Sequence, residues 1–236
     1  MKTFKNYLTE KLKKAKDEGV DITNYLKHTN KTSDTGQLYD DIHDHPDITP
    51  QNITSEHKSA IGNYSFDSAN MNNYLDSVHT DRNNNKKLHE QINKTASIFT
   101  RENTNRKPIL TYSGIPTDIG KKMMGFDNGT KHTITRFTST STSALKALNF
   151  AKTHAKNPEK ELHLMQLYND PGASVSLAKH SEIPDEDEIL LNHGAHVTYL
   201  YTTKHKHPNN PTTIFIHHVK IHNTHTPLEE YKNIKK

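Results

Sequence analysis

The sequence predicts an α+β domain, because helical periodicity fills its first half and short β-type segments fill its second. Between residues 54 and 99, apolar residues recur three and four positions apart, the spacing of one helix face. After Pro108, short segments rich in β-branched and aromatic residues alternate with turn residues. Helices followed by a run of strands favour a segregated α+β architecture over a doubly wound parallel sheet. No G-x-G-x-x-G occurs, so a nicotinamide nucleotide would be held without a Rossmann turn.

The composition limits the domain count and the classes of function. With 236 residues, of which 31% are hydrophobic, the chain fits one domain whose core comes from a few strongly apolar segments. A formal charge of +4 falls short of the basic footprint of a dedicated nucleic-acid binder. The absence of cysteine excludes disulfides, thiolate metal sites and a cysteine nucleophile. Neither a bilayer-spanning run nor an apolar signal segment is present, so we expect a soluble cytoplasmic protein without a membrane partner.

Residues 1–52 are predicted to precede the domain as one helix and a linker. From Phe4 to Ala15 the apolar residues recur at helical spacing, and Gly19 ends that pattern. Residues 27–52 are rich in His, Asp, Thr, Asn and Pro, which is typical of a mobile linker. We therefore place the domain itself at residues 53–236.

The periodicities predict the elements of this domain. Helical patterns cover residues 54–61 and 71–78, with a break around 64–66, and a further helix carries Leu88, Ile92, Ala96 and Phe99. In the second half we expect one helix, at residues 143–156, between strands. The predicted strands are residues 109–115, 132–140, 161–168, 173–178, 188–191, 195–203 and 212–221.

Two glutamates, Glu186 and Glu188, form a candidate catalytic pair. In a strand, residues two apart point to the same face, so both carboxylates would face one cleft and Asp187 would point away. A carboxylate there can stabilise a sugar cation, and two like charges raise one pKa towards that of a general base. An acidic run alone is usually a solvated turn. The apolar strand that follows directly, and the Pro184 loop before it, favour the functional interpretation.

Three segments together, residues 111–114, 137–141 and 186–188, resemble the arginine/serine/glutamate class of mono-ADP-ribosyltransferases, which includes clostridial and insecticidal toxins and tailed-phage enzymes. The sequence SAIGNYSFDSANMNNYL is similar to the helical lead-in of that class. Ser139-Thr140-Ser141, followed by Ala147 and Phe150-Ala151, is similar to its Ser-Thr-Ser motif. The resemblance implies the ADP-ribosyltransferase fold, with a helical N-terminal part and a split, mostly antiparallel β-sandwich around an NAD cleft.

The resemblance also implies a role for each site residue. Glu188 would stabilise the ribosyl cation, and Ser139 would position Glu188. Glu186 would engage the acceptor, because in this class a glutamate at this position is found in enzymes whose acceptor is arginine. NAD would be the substrate, and no metal is expected. The residues expected to line the dinucleotide site are Tyr112, Ser113, Gly114, Thr140, Ser141 and Phe150.

One position departs from the motif: the class has an arginine that contacts the NAD phosphates where this chain has Ser113. Ser113 and backbone N–H groups could make that contact, or Arg136, Lys121 or Lys122 could reach the phosphates, although a solvated surface is the ordinary role of each lysine. Two competing hypotheses follow. Instead of a transferase, the chain would be a catalytically inactive binding protein of the same fold, or an NAD glycohydrolase that transfers ADP-ribose to water.

Two further segments have weaker signals. By resemblance, the loop at residues 179–184 recognises the acceptor protein, with His180, Ser181 and Glu182 as candidate contacts, although plain solvation is the common role of each. The C-terminal histidines show no ordered ligand spacing, so composition bias explains them better than a metal site. His217 and His218 should point to opposite faces of one strand. The histidines concerned are His205, His207, His217, His218, His222 and His225.

The first residues, MKTFKNYLTEKLKK, resemble the beginnings of tailed-phage virion proteins, and Leu8-Thr9-Glu10 is similar to their prohead protease sites. This resemblance implies a phage enzyme that is packaged in the virion and acts in the host cytoplasm. Its partner would be a host protein acceptor, for example in the transcription or translation machinery. Nucleic acid is not an expected partner, and NAD-capped RNA stays open as an alternative acceptor.

Overall fold

A computed structural model describes residues 50–77, 85–177, 188–206, 211–228 and 230. The predicted helix at Phe4–Ala15, almost all of the predicted linker, the loop at 179–184 and Glu186 lie outside the described residues. Those expectations, and the domain boundary at residue 53, stay predictions.

Two helices form the first part of the described chain. Helix α1 (Ser55–Ser77) is kinked at Asp67, where φ −126° and ψ 20° leave the helical region, close to the predicted break. Helix α2 (Lys86–Ala96) begins where the Asn85 side chain accepts a hydrogen bond from the backbone N–H of Leu88. The apolar faces of the two helices pack against each other in one cluster.

Eight strands form one hydrogen-bonded sheet in the order β2-β7-β8-β4-β1-β3-β6-β5. Neighbours are antiparallel except β4 and β8, which are parallel. The strands are β1 (Ile109–Ile115), β2 (Lys131–Ile134), β3 (Thr138–Ser141), β4 (Glu161–Asn169), β5 (Ser174–Ser176), β6 (Glu188–Leu191), β7 (Ala195–Lys206) and β8 (Thr213–His225).

The sheet is split between β1 and β3, which share a single pair of facing residues, Tyr112 and Ser141. One half has five strands, β2-β7-β8-β4-β1, and the other has three, β3-β6-β5. The halves pack through one core cluster, in which Leu191 of the three-stranded half joins Val219 and Ile221 of the five-stranded half. The predicted α+β class with a split, mostly antiparallel sheet is confirmed.

Two sequence predictions for the second half were wrong. The expected strand at 132–140 is two strands, because β2 pairs with β7 whereas β3 pairs with β1 and β6, and residues 135–137 connect them. A second helix, α3 (Thr117–Met124), accompanies the predicted one. Its pattern is obscured by a mid-helix glycine, Gly120, which is required because a Cβ there would lie 2.2 Å from the His163 ring.

The predicted helix at 143–156 is α4 (Ala144–His154), capped by the Ser143 side chain. Helices α1 and α2 cover the three-stranded half, and α4 covers the five-stranded half on the same face, as the strand register shows. Helix α3 covers the opposite face, where Gly120 meets the His163 ring. None of the described helices is both long and apolar enough to cross a bilayer.

Candidate active site at the split in the sheet

A row of polar residues crosses the split on one face of the sheet. Glu188 of β6 faces Ser141 of β3, and Ser141 faces Tyr112 of β1. Directly opposed residues project to the same side, so carboxylate, hydroxyl and phenol stand side by side over about 10 Å, two strand spacings. The row continues through Gln166 of β4 to His218 of β8. The single pair that joins the two halves therefore lies beside the predicted catalytic glutamate.

Glu188 is the buried carboxylate of this row, with 7% of its surface exposed. It starts β6, and its carbonyl accepts a hydrogen bond of 2.8 Å from the N–H of Leu177, which extends the pairing with β5. Burial, and next the negative charge of Glu188, raises the pKa of the Tyr64 phenol. The field of this carboxylate thus reaches helix α1. In a site of low dielectric, such a charge interacts strongly with a positive charge that develops nearby.

Ser139 shares the face of Ser141, two residues earlier on β3, and is exposed. Its Oγ lies 3.0 Å from the hydroxyl of Tyr64, which is buried in α1. Sequence reasoning assigned no site role to Tyr64. A signal was present, because a tyrosine on the apolar face of a helix needs a hydrogen-bond partner when it is buried.

Thr140 points to the other face, and its Oγ1 donates a hydrogen bond of 2.8 Å to the carbonyl of Ile189. Ser141 Oγ accepts a hydrogen bond of 3.1 Å from the N–H of Ser143, just before α4. The two side chains hold β3 against β6 and against the start of α4. Their predicted contact with NAD stays a prediction.

Ser113 and Gly114 have structural tasks in this site. Ser113 is buried on the face opposite to Tyr112, and its Oγ donates a hydrogen bond of 3.1 Å to the carbonyl of Ser139. A Cβ on Gly114 would lie 2.3 Å from the Ala147 carbonyl oxygen, so α4 packs directly on the β1 backbone. Of the two neighbours Tyr112 and Ser113, it is therefore Tyr112 that shares the face of Glu188. The dinucleotide contacts assigned to residues 112–114 stay predictions.

The candidate replacements for the missing arginine are engaged or placed elsewhere. Arg136 donates from Nε to Asp76 of α1 at 2.6 Å, and this bond raises the pKa of Arg136. Lys121, on α3, forms an ion pair of 2.6 Å with Glu161. Lys122 is exposed on α3, which covers the face opposite to Glu188. Phe150 is 55% exposed on α4, with its ring 4.3 Å from that of His154, and its predicted NAD contact is likewise untested.

The histidines of β8 point to opposite faces, as expected from the sequence. His217 Nε2 lies 3.1 Å from His163 Nδ1 below α3, whereas His218 Nδ1 lies 2.9 Å from the Tyr168 hydroxyl on the face of Glu188. Within the described part of the chain, no three His, Asp or Glu side chains come together in a group that could hold a metal ion.

Comparisons with known proteins match this architecture. The chain is similar in structure to C3stau2 of S. aureus, solved with NAD (18% identity, TM-score 0.54, 70% of this chain and 87% of that one). It is also similar to Plx2a of Paenibacillus larvae, an ADP-ribosyltransferase toxin (14%, TM-score 0.56, 90% and 96%). A third similar structure is the ADP-ribosyltransferase Vis of Vibrio splendidus in complex with agmatine (17%, TM-score 0.52, 79% and 81%).

The sequence matches a family model but no individual protein of curated function. No protein of curated function matches the sequence. The sequence model of the ADP-ribosyltransferase exoenzyme family matches residues 4–223, nearly the whole chain. The chain belongs to the ADP-ribosyltransferase exoenzyme family.

Proposed function

We propose that this chain transfers ADP-ribose from NAD to an arginine side chain of a protein and releases nicotinamide. The observation that carries the proposal is the buried carboxylate of Glu188 beside Ser141 and Tyr112, at the split of the sheet. Membership of the family supports NAD-dependent ADP-ribosyl transfer in general. The structure of Vis with agmatine, a small guanidinium compound, supports arginine as the acceptor type.

In the proposed reaction, the bond between nicotinamide N1 and ribose C1′ breaks, and nicotinamide leaves with the electron pair. The ribose ring then carries oxocarbenium character, which the negative charge of Glu188 stabilises. The acceptor guanidinium nitrogen attacks C1′ and loses a proton. We assign the role of proton acceptor to Glu186. Ser139 and Ser141, on the face of Glu188, are the hydroxyls that orient the carboxylate and the ribose.

Glu188→Gln tests this assignment, because it removes the charge and keeps the shape of the side chain. The purified proteins are incubated with labelled NAD and a bacterial lysate, and label on macromolecules and free nicotinamide are followed. We expect the wild-type chain to label a protein band and the variant to be slower by about a hundredfold or more. Loss of the label in hydroxylamine would support an arginine linkage.

Other outcomes decide between the competing functions. Nicotinamide release without labelled macromolecules would identify an NAD glycohydrolase. Label on RNA would identify a nucleic-acid acceptor. Absence of both signals, without NAD binding, would contradict an enzyme and favour a binding protein of the same fold.

We also propose that the enzyme acts in the cytoplasm of a host cell after delivery by a phage particle. This proposal rests on the N-terminal sequence, which lies outside the described residues. Mass spectrometry of purified particles would test it. A peptide that begins directly after Glu10 would support packaging and cleavage at Leu8-Thr9-Glu10, whereas absence of the chain from the particles would contradict it.

A further inference from the structure

The connection between β2 and β3, Thr135 to Phe137, determines where the Ser-Thr-Ser strand begins. It carries the chain from the five-stranded half of the sheet to the three-stranded half and belongs to neither ladder. Its backbone polar groups therefore need partners outside the sheet. Ser139 and Ser141 follow within four residues, so any shift of this connection moves both hydroxyls.

Two residues of helix α1, one turn apart, bond this connection: one bonds its backbone and the other bonds its side chains. Asn72 Nδ2 donates to the Phe137 carbonyl at 3.2 Å, and Asn72 Oδ1 accepts from the Phe137 N–H at 3.0 Å. One carboxamide thus satisfies both backbone groups of Phe137, as a neighbouring strand would. Asp76 accepts from Thr135 Oγ1 at 2.9 Å and from Arg136 Nε at 2.6 Å. Positions four apart share one helix face, so both residues hold the connection from the same side.

The first half of α1 binds the next part of the same segment. The Tyr64 ring packs edge-on against Phe137, with centroids 5.6 Å apart, and its hydroxyl lies 3.0 Å from Ser139 Oγ. Side chains from both sides of the Asp67 kink therefore contact consecutive stretches of residues 135–139. From there, β3 pairs residue by residue with β6, so the position of β3 is passed on to Glu188.

We propose that Asn72 and Asp76 are positioning residues for the active site. They contact residues 135–137, and through this connection they fix Ser139 and Ser141 relative to Glu188. This inference rests on the proposed transferase function. If the contact between helix and loop were purely structural, its loss would lower only the fraction of folded protein. A positioning role also lowers the turnover of the folded enzyme, because reacting groups displaced by about 1 Å lose rate.

Asn72→Asp tests the role of Asn72 through pH. The carboxylate still accepts from the Phe137 N–H, but its second oxygen faces the Phe137 carbonyl without a hydrogen. Protonation restores that donor. At pH 7.5 we expect kcat for NAD cleavage to fall about tenfold or more, with KM for NAD changed by less than about twofold. This loss of kcat should become smaller as the pH is lowered towards about 5, because a carboxyl group that faces a carbonyl has a raised pKa and becomes protonated.

The matched control is Asn73→Asp, which makes the same charge change on the exposed neighbour. Dividing the kcat of Asn72→Asp by that of Asn73→Asp at each pH removes effects of acid on the rest of the protein. A folded Asn72→Asp enzyme with the kcat of Asn73→Asp at every pH would overturn the proposal. So would a loss of thermal stability in Asn72→Asp without a loss of kcat.

Hydrogen exchange separates this inference from the transferase function itself. In Asn72→Asp, the amides of residues 137–141 should exchange about tenfold faster than in Asn73→Asp, whereas the amides of β4 and β8 should be unchanged. This readout decides the positioning role even if the wild-type chain cleaves no NAD, and equal exchange in both variants would overturn it. If Asn72→Asp does not fold, Asp76→Asn replaces it: the amides of residues 135–137 should then exchange faster than in the wild-type chain, and unchanged exchange would overturn the proposal.

Discussion

Position 113 shows how a residue type and its direction together decide a function. The family motif places an arginine there, and in this chain the Ser113 side chain is buried on the face opposite to Glu188 and holds the carbonyl of Ser139. A long cation at this position would point into the packed space between the two halves of the sheet, where an unpaired charge is unfavourable. Tyr112, by contrast, lies on the face of Glu188.

Ser113→Arg is therefore expected to destabilise the protein and not to strengthen NAD binding. Burying an unpaired guanidinium should lower the free energy of unfolding by about 3 kcal/mol or more. Ser113→Ala, the control, removes one hydrogen bond and should cost about 1 kcal/mol. Urea unfolding and equilibrium dialysis with NAD measure the two quantities. A stable Ser113→Arg protein that binds NAD more tightly would show that this side chain reaches the phosphates.

At the scale of elements, the contact between β1 and α4 determines how close the helix lies to the strand that carries Tyr112. The helix follows directly on the Ser-Thr-Ser strand, and Ala147 and Ala151 lie against Gly114, in a cluster that includes Leu148 and Leu164. Small residues on both elements allow this approach. The helix in turn holds Tyr112 at the edge of the same cluster.

Gly114→Ala should disrupt this contact. The added Cβ would lie 2.3 Å from the Ala147 carbonyl oxygen and 2.5 Å from the Ala151 nitrogen, and both are backbone atoms that cannot rotate away. We expect a loss of about 3 kcal/mol in the free energy of unfolding, measured by urea titration. Gly125→Ala is the control, since its Cβ would meet its nearest atom at 3.4 Å. Equal stability of the two variants would mean that α4 packs less closely than described.

The elements predicted correctly from the sequence are those with a strong local signal. Helix α4 has a serine cap and apolar residues at helical spacing, and β7 and β8 are long β-branched segments. Helix α3 was missed because its glycine answers a tertiary contact, the His163 ring. The break between β2 and β3 was missed because its cause, hydrogen bonding to Asn72 and Asp76, comes from residues about 60 positions earlier.

The same limit applies to the site. The strand period predicted that Glu186 and Glu188 share one face, because alternation is a local rule. It could not show that Tyr64 bonds Ser139, that Arg136 bonds Asp76, or that Ser113 faces away from Glu188, because these depend on which strands pair. Sequence motifs thus predicted catalytic residues, which stay predictions, and only the register of the split sheet showed which of their neighbours share a face.

Across the whole molecule, buried histidines connect stability to pH. His193, beside Phe137 near the three-stranded half, and His217, in the five-stranded half, both have a pKa of about 4, mainly because of burial. Burial also lowers the pKa of His163, the partner of His217; the charge of Glu161 acts to raise this pKa, and the charge of Lys121 acts to lower it. The fold thus keeps one histidine neutral in the five-stranded half and another near the three-stranded half.

Because these folded pKa values lie below the unfolded value of about 6.5, the histidines favour the folded state fully above pH 6.5. Their contribution is lost as the pH falls from about 6.5 towards 4. Between pH 7 and pH 5, each of His193 and His217 should lower the free energy of unfolding by about 2 kcal/mol. Urea titrations at both pH values measure this decrease. Between pH 7 and pH 5, the free energy of unfolding of His217→Gln should fall by about 2 kcal/mol less than that of the wild type, whatever the substitution costs at pH 7. His154→Gln, on the exposed side of α4, should keep the wild-type loss, and a His217→Gln protein that does the same would show that His217 is not held neutral by the fold.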